Sequence, residues 1–191
     1  MSNLKDRKDD ELQKAVLEGD DSAFEALVKR HADKLINFFF RLCWCRETAE
    51  DLAQDCFIKA YTSIKKTGAS VAFSRLLYRI AKISWYSHLR KVYRSVKTSG
   101  GVEMLAEPPE KSLSPSMFED AEKAEQVRRM HSAIERLPEE HRLVIEMAYL
   151  MEIPYKEISE ILEIPIGTVK SRINAAVLKL RGLMERSQTE L

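Results

Sequence analysis

Lys170, Ser171, Asn174 and Arg181 place cations and short hydrogen-bonding groups on one side of a single helix. Groups of that kind suit base edges in a DNA major groove and the phosphates beside it. The stretch that presents them runs Glu157-Ile158-Ser159-Glu160-Ile161-Leu162-Glu163-Ile164-Pro165-Ile166-Gly167-Thr168-Val169-Lys170-Ser171-Arg172. It reads as a helix, a tight turn and a second helix. Tyr155, Ile158, Ile161 and Leu162 form the inward stripe of the first helix. Pro165 suits the first position of the second, where its missing N–H costs nothing. Val169, Ile173, Val177 and Leu180 are the expected inward stripe there.

Other chemistry is excluded by spacing. The four histidines, His31, His88, His131 and His141, have no metal-ligand spacing. Cys43 and Cys45 stand two apart, so on a helix they point to different sides and cannot easily share a metal. With Cys56 they make three thiols and no even disulfide framework, so buried thiols in a reducing cell are expected. No nucleophile–base pair stands out, and neither a catalytic residue nor a cofactor is expected.

The bulk composition fits a soluble globular protein: 191 residues, 45% hydrophobic, 32% charged, 8% aromatic and few glycines. Sparse glycine and modest aromatic content favour helices over sheets. No apolar run reaches the roughly 20 residues of a membrane span. Met1 to Glu11 is polar, without the pattern of a signal peptide, so a cytoplasmic location is expected. The net charge of +1 hides a strong asymmetry. From Arg75 to Thr98 the charged residues are Arg75, Arg79, Lys82, Arg90, Lys91, Arg94 and Lys97, with no acid. From Ser99 to Glu125, Glu103, Glu107, Glu110, Glu119, Asp120, Glu122 and Glu125 face only Lys111 and Lys123. Aromatics interleave the basic block, which favours a nucleic-acid surface over a merely solvated helix face.

Helical periodicity runs through the first half. A helix with Leu12, Ala15, Val16 and Leu17 is capped by Asp9 or Asp10, and Ser22 or Asp21 caps the next. That second helix carries Phe24, Leu27, Val28, Leu35, Ile36, Phe39 and Phe40. Thr48 is a plausible cap for a helix over 49–64. A long basic helix follows from about Val71 to Tyr93. Residues 95–117 hold Gly100, Gly101, Pro108, Pro109 and Pro115, a linker composition. Beyond it a helix runs from about Phe118 to Arg136. Pro138 opens another, with Val144, Ile145, Ala148 and Tyr149 as its packing face. On the helix over 49–64, Asp51, Gln54, Asp55 and Ile58 share one side, which spacing alone leaves as solvated surface.

These segments, taken in order, resemble a bacterial RNA polymerase sigma factor of the extracytoplasmic-function type. The resemblance rests on Ala49-Glu50-Asp51-Leu52 with Gln54, on Leu77-Tyr78-Arg79-Ile80-Ala81, and on Leu89-Arg90-Lys91. It continues through Leu137-Pro138-Glu139 to Pro165-Ile166-Gly167-Thr168-Val169-Lys170-Ser171-Arg172. It implies that Asp51, Gln54, Asp55 and Phe57 dock on core RNA polymerase. It implies that Arg79, Lys82, Trp85, Tyr86, Arg90, Lys91 and Arg94 open and read the upstream-ten promoter element. Thr168, Lys170, Ser171, Arg172 and Asn174 would read the upstream-thirty-five element, with Lys170 on phosphate and Arg172 either on DNA or bracing the domain. The acidic linker would either thread toward the transcript exit path or serve as a plain flexible tether. The family's further properties are an anti-sigma partner, release after initiation, and a stress or envelope response. Leu76, Ile83 and Ser87 depart from the family's usual Trp, Asn and Asp, and Glu163 replaces a turn glycine.

The resulting expectation is an all-α chain of two small helical domains, 1–94 and 118–191. A flexible acidic linker over 95–117 joins them, and the C-terminal domain is a helix-turn-helix. Core RNA polymerase and promoter DNA are the expected partners, with no small-molecule substrate and no residence in the membrane. The rival is a helix-turn-helix regulator that is not a polymerase subunit. It would carry a sheet-containing receiver domain in front, and no such βαβ alternation is present.

Overall fold

The computed structural model describes residues 7–98, 129–130 and 132–189, with side chains to 92 in the first segment and 185 in the last. All regular structure among these residues is helical. The chain divides into two compact units, Met1–Pro108 and Pro109–Leu191. Most of the expected linker and the start of the helix from Phe118 lie outside the described residues.

The first unit packs α1 (Asp9–Leu17), α2 (Asp21–Cys43), α3 (Arg46–Thr67) and α4 (Phe73–Thr98). Leu12, Val16, Leu27, Leu35, Phe38, Phe39, Ile64, Phe73, Leu77 and Trp85 fill the core. Polar pins fix α1. Arg30 Nη1 lies 2.5 Å from Asp9 Oδ1, and His31 Nε2 lies 2.7 Å from Asp9 Oδ2. Buried Gln13 donates from Nε2 to the Val71 carbonyl at 3.2 Å.

The helix ends differ from the sequence expectation by a residue or more, each for a local reason. Gly19 (φ 101°) ends α1 and leaves Asp20 extended, so Asp20 caps α2 in place of Asp21 or Ser22. Its carboxylate accepts from the Ser22 and Ala23 N–H groups at 3.1 and 3.3 Å. Trp44 adopts the left-handed conformation (φ 54°) and ends α2. Cys45 is then the extended residue before α3, and Thr48 falls inside the helix. The basic helix α4 continues past Tyr93 to Thr98.

The second unit has helical backbone at 129–130 and 132–135, then α5 (Glu139–Ile145), a π-helical turn (Glu146–Leu150), α6 (Tyr155–Leu162) and α7 (Ile166–Thr189). Pro138 and Pro154 stand immediately before α5 and α6. Pro165 holds the same place before α7: its carbonyl accepts from the Thr168 and Val169 N–H groups, and the helix proper begins at Ile166. The π turn changes the expected packing face. Its wider turn shifts the phase of the side chains, so Leu143 to Met147 are all buried while Tyr149 is 56% exposed. On α7 the inward stripe is Val169, Ile173 and Ala176, with Leu180 packed against Leu137, Ile145 and Ala176. Val177 points outward. The step from Ile173 is three residues here, not four, as a period of 3.6 allows.

Glu163 ends α6 at φ 59° and ψ 42°. Its Cβ crowds the backbone there, a strain that glycine lacks. Glu163→Gly therefore raises the stability of the protein by about 1 kcal/mol, read as a higher urea midpoint at unchanged slope. An unchanged or lower midpoint contradicts this. Asp20 supplies a pH-dependent contribution. The Ser22 hydroxyl foremost, then the Ala23 and Ser22 N–H groups, hold its carboxyl below the ordinary 3.8. A depressed folded value stabilises above 3.8 and is lost as pH falls through the lower folded value. The gap in urea midpoint between wild type and Asp20→Ala should be constant near neutral pH and close in acid below 3.8.

Candidate functional site

The α3 helix presents two unlike faces. Ala49, Ala53, Cys56, Phe57, Ala60 and Ile64 are buried, whereas Asp51, Gln54, Asp55 and Ile58 are exposed. Ile58 is the informative member, since an isoleucine 60% exposed amid polar neighbours offers a contact that solvation does not require. Asp55 is engaged within the helix: Lys59 Nζ lies 2.5 Å from its Oδ2 and 3.0 Å from Ser84 Oγ on α4. Burial, above all, pushes the Cys56 thiol up to about 11 in the same neighbourhood. Arg46 Nε pairs with Glu50 Oε1 at 2.5 Å. Asp51 and Gln54 stand toward solvent.

Beside this row lies a groove of roughly 400 Å³ between α2 and α3. Phe24, Val28, Ala32 and Ile36 of α2 form one wall; Glu50, Ala53, Gln54, Phe57, Ile58, Tyr61 and Thr62 of α3 form the floor and the other wall. Phe57, 7% exposed, belongs to the core and floors the groove. The α2 wall was not anticipated from sequence as a site. Its signal was present: α2 carries a second apolar row at four-residue spacing, Phe24, Val28, Ile36 and Phe40, besides its buried one. Tyr61 closes one end, donating to Asp21 Oδ1 at 2.8 Å and set edge-on to Phe24 at 5.0 Å.

The basic helix divides by period. Phe73, Leu77, Tyr78, Ala81, Ser84 and Trp85 face the core. Arg79, Ile83 and Arg90 are exposed on the opposite side, with Lys82 and Tyr86 half-buried beside them and Lys91 exposed nearby. Trp85 is 2% exposed and stacks on His88 at 5.6 Å, so of the adjacent aromatics Tyr86 reaches the surface and Trp85 does not. Leu76 and Ser87 are half-buried, and Ile83 is 56% exposed. The Arg94 side chain lies outside the described residues.

In the helix-turn-helix, Lys170, Ser171 and Asn174 are exposed on α7 and Thr168 is half-buried. Ser171 Oγ donates to the Thr168 carbonyl at 3.0 Å. Arg172 turns the other way, its Nη2 lying 2.6 Å from Glu140 Oε2 of α5. In this structure that contact ties α7 to α5. Among the described residues no three His, Cys, Asp or Glu side chains gather as a metal site, and no helix is long and apolar enough to cross a membrane.

Known proteins share both units. Residues 27–95 match the family described as Sigma-70 region 2, and residues 128–180 match Sigma-70, region 4. The ECF RNA polymerase sigma factor SigW of Bacillus subtilis is 35% identical over 88% of this chain and 92% of its own length. The ECF RNA polymerase sigma-E factor of Haemophilus influenzae is 32% identical over 86% and 89%. The fold matches CnrH, solved in complex with the cytosolic domain of CnrY, at TM-score 0.69 and 22% identity over 93% of this chain and 97% of that one. The chain belongs to the sigma-70 family, as an RNA polymerase sigma factor of the extracytoplasmic-function type. Proteins of this family are initiation factors: they bind core RNA polymerase and direct it to promoters, and the family is non-catalytic.

The brace and the exposed face of α7 should separate in a stability measurement. Arg172→Ala should lose up to about 1 kcal/mol, with Glu140→Gln losing a similar amount and the double variant little more. Lys170→Ala should stay within about 0.5 kcal/mol of wild type. Additive losses for Arg172 and Glu140 would show that the pair is not coupled.

Proposed function

We propose that Asp51, Gln54 and Ile58, with the groove floored by Phe57, form the docking surface for core RNA polymerase. The observation that carries this reading is an exposed amide and an exposed isoleucine, Gln54 and Ile58, lining an apolar groove, with the exposed Asp51 carboxylate three residues before Gln54 on the same helix. An amphipathic helical element could lay its apolar side in such a groove and its cations against the rim. Asp51 and Gln54 then supply charge-assisted and neutral hydrogen bonds that set the register. Asp55 contributes charge while held by Lys59.

Promoter contact falls to the other two faces. Arg79, Lys82, Arg90 and Lys91, with Arg94 where α4 continues, meet phosphates of the upstream-ten element. Tyr86 offers a stacking surface to an unpaired base, and Trp85 supports it from the core. Ile83 stands where the family more often has an amide, so it offers apolar contact and no hydrogen bond to a base edge. Lys170, Ser171 and Asn174 read or position the upstream-thirty-five duplex, with Thr168 shaping the start of α7. The domain division at 1–94 and 118–191 with a linker over 95–117, a cytoplasmic location and the lack of a reaction of its own all belong to the same reading. An anti-sigma protein is a further proposed partner. The structurally similar RpoE of Bartonella quintana was solved with the anti-sigma factor NepR, at TM-score 0.66 and 24% identity over 85% of this chain and 96% of that one.

Run-off transcription of a genomic fragment library with core polymerase tests the proposal. The protein should produce discrete new start sites. Asp51→Ala with Gln54→Ala should lower their yield at least about tenfold, the equivalent of 1.4 kcal/mol, at unchanged helix content. Lys170→Ala with Asn174→Ala should weaken binding to the upstream duplex and leave polymerase association intact. Specific promoter binding without polymerase, and no new starts with it, would overturn the reading.

A further inference from the structure

The corner between α2 and α3 holds two thiols that the sigma-factor reading does not use. Cys43 is the last residue of α2, and Cys45 is the extended residue from which α3 starts. The expectation of buried thiols holds for Cys56 alone, since Cys43 is half-buried and Cys45 exposed. Nor do the two lie on one helix with diverging side chains. Left-handed Trp44 between them folds the chain back, and its ring packs on Phe40 at 5.4 Å. The Cys43 Sγ lies 3.3 Å from the Cys45 carbonyl oxygen, which directs the Cys43 thiol to its neighbour's side of the corner. Two residues of chain span at most about 7 Å, close to the upper limit of the Cα separation a disulfide accepts, and the left-handed residue shortens that span.

We propose that Cys45 is a hydroperoxide-reactive thiol and that Cys43 is its resolving partner. The Cys45 thiolate attacks the terminal oxygen of a hydroperoxide. A sulfur–oxygen bond forms, the peroxide O–O bond breaks, and the departing alkoxide or hydroxide takes a proton from water. Sulfur is oxidised by two electrons to the sulfenic acid and the peroxide is reduced. The Cys43 sulfur then attacks the Cys45 sulfur. The disulfide forms and hydroxide leaves, collecting the Cys43 proton as water.

The site has the surroundings such a thiol needs. Cys45 is exposed at the N-terminal end of a 22-residue helix, where the dipole favours an anion. The Thr48 hydroxyl, followed by the Thr48 and Glu47 N–H groups, favours its charged form and holds the thiol below 9.0. Cys56 provides an internal contrast, being buried and pushed up to about 11. Cys45 therefore holds more thiolate at neutral pH than Cys56 does. The lower basicity of its sulfur takes back about half of that gain on a logarithmic scale, and burial slows Cys56 further.

The chain offers a direct readout on the full protein. Cleavage after Arg41 and Arg46 releases Leu42–Arg46, which carries both thiols, while Cys56 lies on a different peptide. The reduced protein is treated with hydrogen peroxide or cumene hydroperoxide, quenched with an alkylating agent, digested and weighed. The expected result is a Leu42–Arg46 peptide lacking two hydrogens and resistant to alkylation, formed before any change at buried Cys56. Cys43→Ser should stop the reaction at a Cys45 sulfenic acid that dimedone traps. Cys45→Ser should abolish both products, and Cys56→Ser should leave both unchanged. Circular dichroism of each variant confirms that it is folded. Oxidation of Cys45 no faster than Cys56 would overturn the proposal, as would disulfides that form only between chains. The result is independent of polymerase binding, so it stands or falls separately from the docking surface.

Discussion

The first unit depends on α3 being slim along its buried side. Ala49, Ala53, Cys56 and Ala60 present small groups where α3 packs against α2 and α4. Interaxial distance follows the size of the side chains at the contact, so small residues let neighbours approach closely on both flanks. The larger Phe57 and Ile64 fill what remains. With its inner side held in this way, α3 cannot rotate without driving alanines into solvent and polar residues into the core. Its outer row of Asp51, Gln54 and Ile58 is therefore fixed in direction by residues that never touch a partner. The groove beside it has the same origin. The second apolar row of α2 stays half-uncovered because the floor of α3 there is made of Ala53 and Phe57, and among the described residues only α2 and α3 line it.

The division of labour on α4 follows from the same packing. A helix that feeds Phe73, Leu77, Ala81, Ser84 and Trp85 inward must turn Arg79, Ile83, Tyr86 and Arg90 outward. Lys59 reinforces the arrangement by reaching from Asp55 to Ser84, which satisfies a buried hydroxyl and joins the proposed polymerase face to the proposed promoter face. A displacement of α3 would be felt by α4 through this contact and through the shared core.

Period and composition made much of this legible in the sequence. The helical class, the inward positions Ile158, Ile161, Leu162, Val169 and Ile173, and the solvent-facing Asp51, Gln54, Asp55 and Ile58 could all be read from spacing. What spacing could not resolve was phase between near-equivalent neighbours. Trp85 and Tyr86 adjoin, and only tertiary packing decides which is buried. Ala176 and Val177 differ by one step of a 3.6-residue period, and hydrophobicity favours the wrong one. The π turn inserts its phase change without any marker residue, so Tyr149 reads as core and emerges on the surface. The caps failed for another reason. Asp20, Asp21 and Ser22 are all good cap residues, and the choice is made by where Gly19 stops the preceding helix. The thiols were misplaced because the corner at Trp44 is a left-handed turn built on a residue that gives no sign of one.

The second unit shows how a recognition helix can be oriented by residues that do not recognise anything. Three segments of α7 are fixed separately. Its start is set by Pro165 and by the left-handed Glu163, which together dictate the angle at which the chain leaves α6. Its middle is set by Val169, Ile173 and Ala176 in the core. Its flank is set by Arg172 on Glu140, a contact that ties α7 to α5 across the unit. An arginine used in that way is not also available, in the same geometry, for a bidentate contact with guanine. The outward polar residues in its first turns are then Lys170, Ser171 and Asn174, of which only Lys170 is charged, and Lys179 and Arg181 are exposed further along. A lysine meets phosphate as a point charge, whereas serine and asparagine can address a base edge. In the proposed reading, base discrimination near the start of this helix falls to those two short neutral side chains. In that reading Arg172 contributes through Glu140, by holding the helix still enough for such short groups to reach.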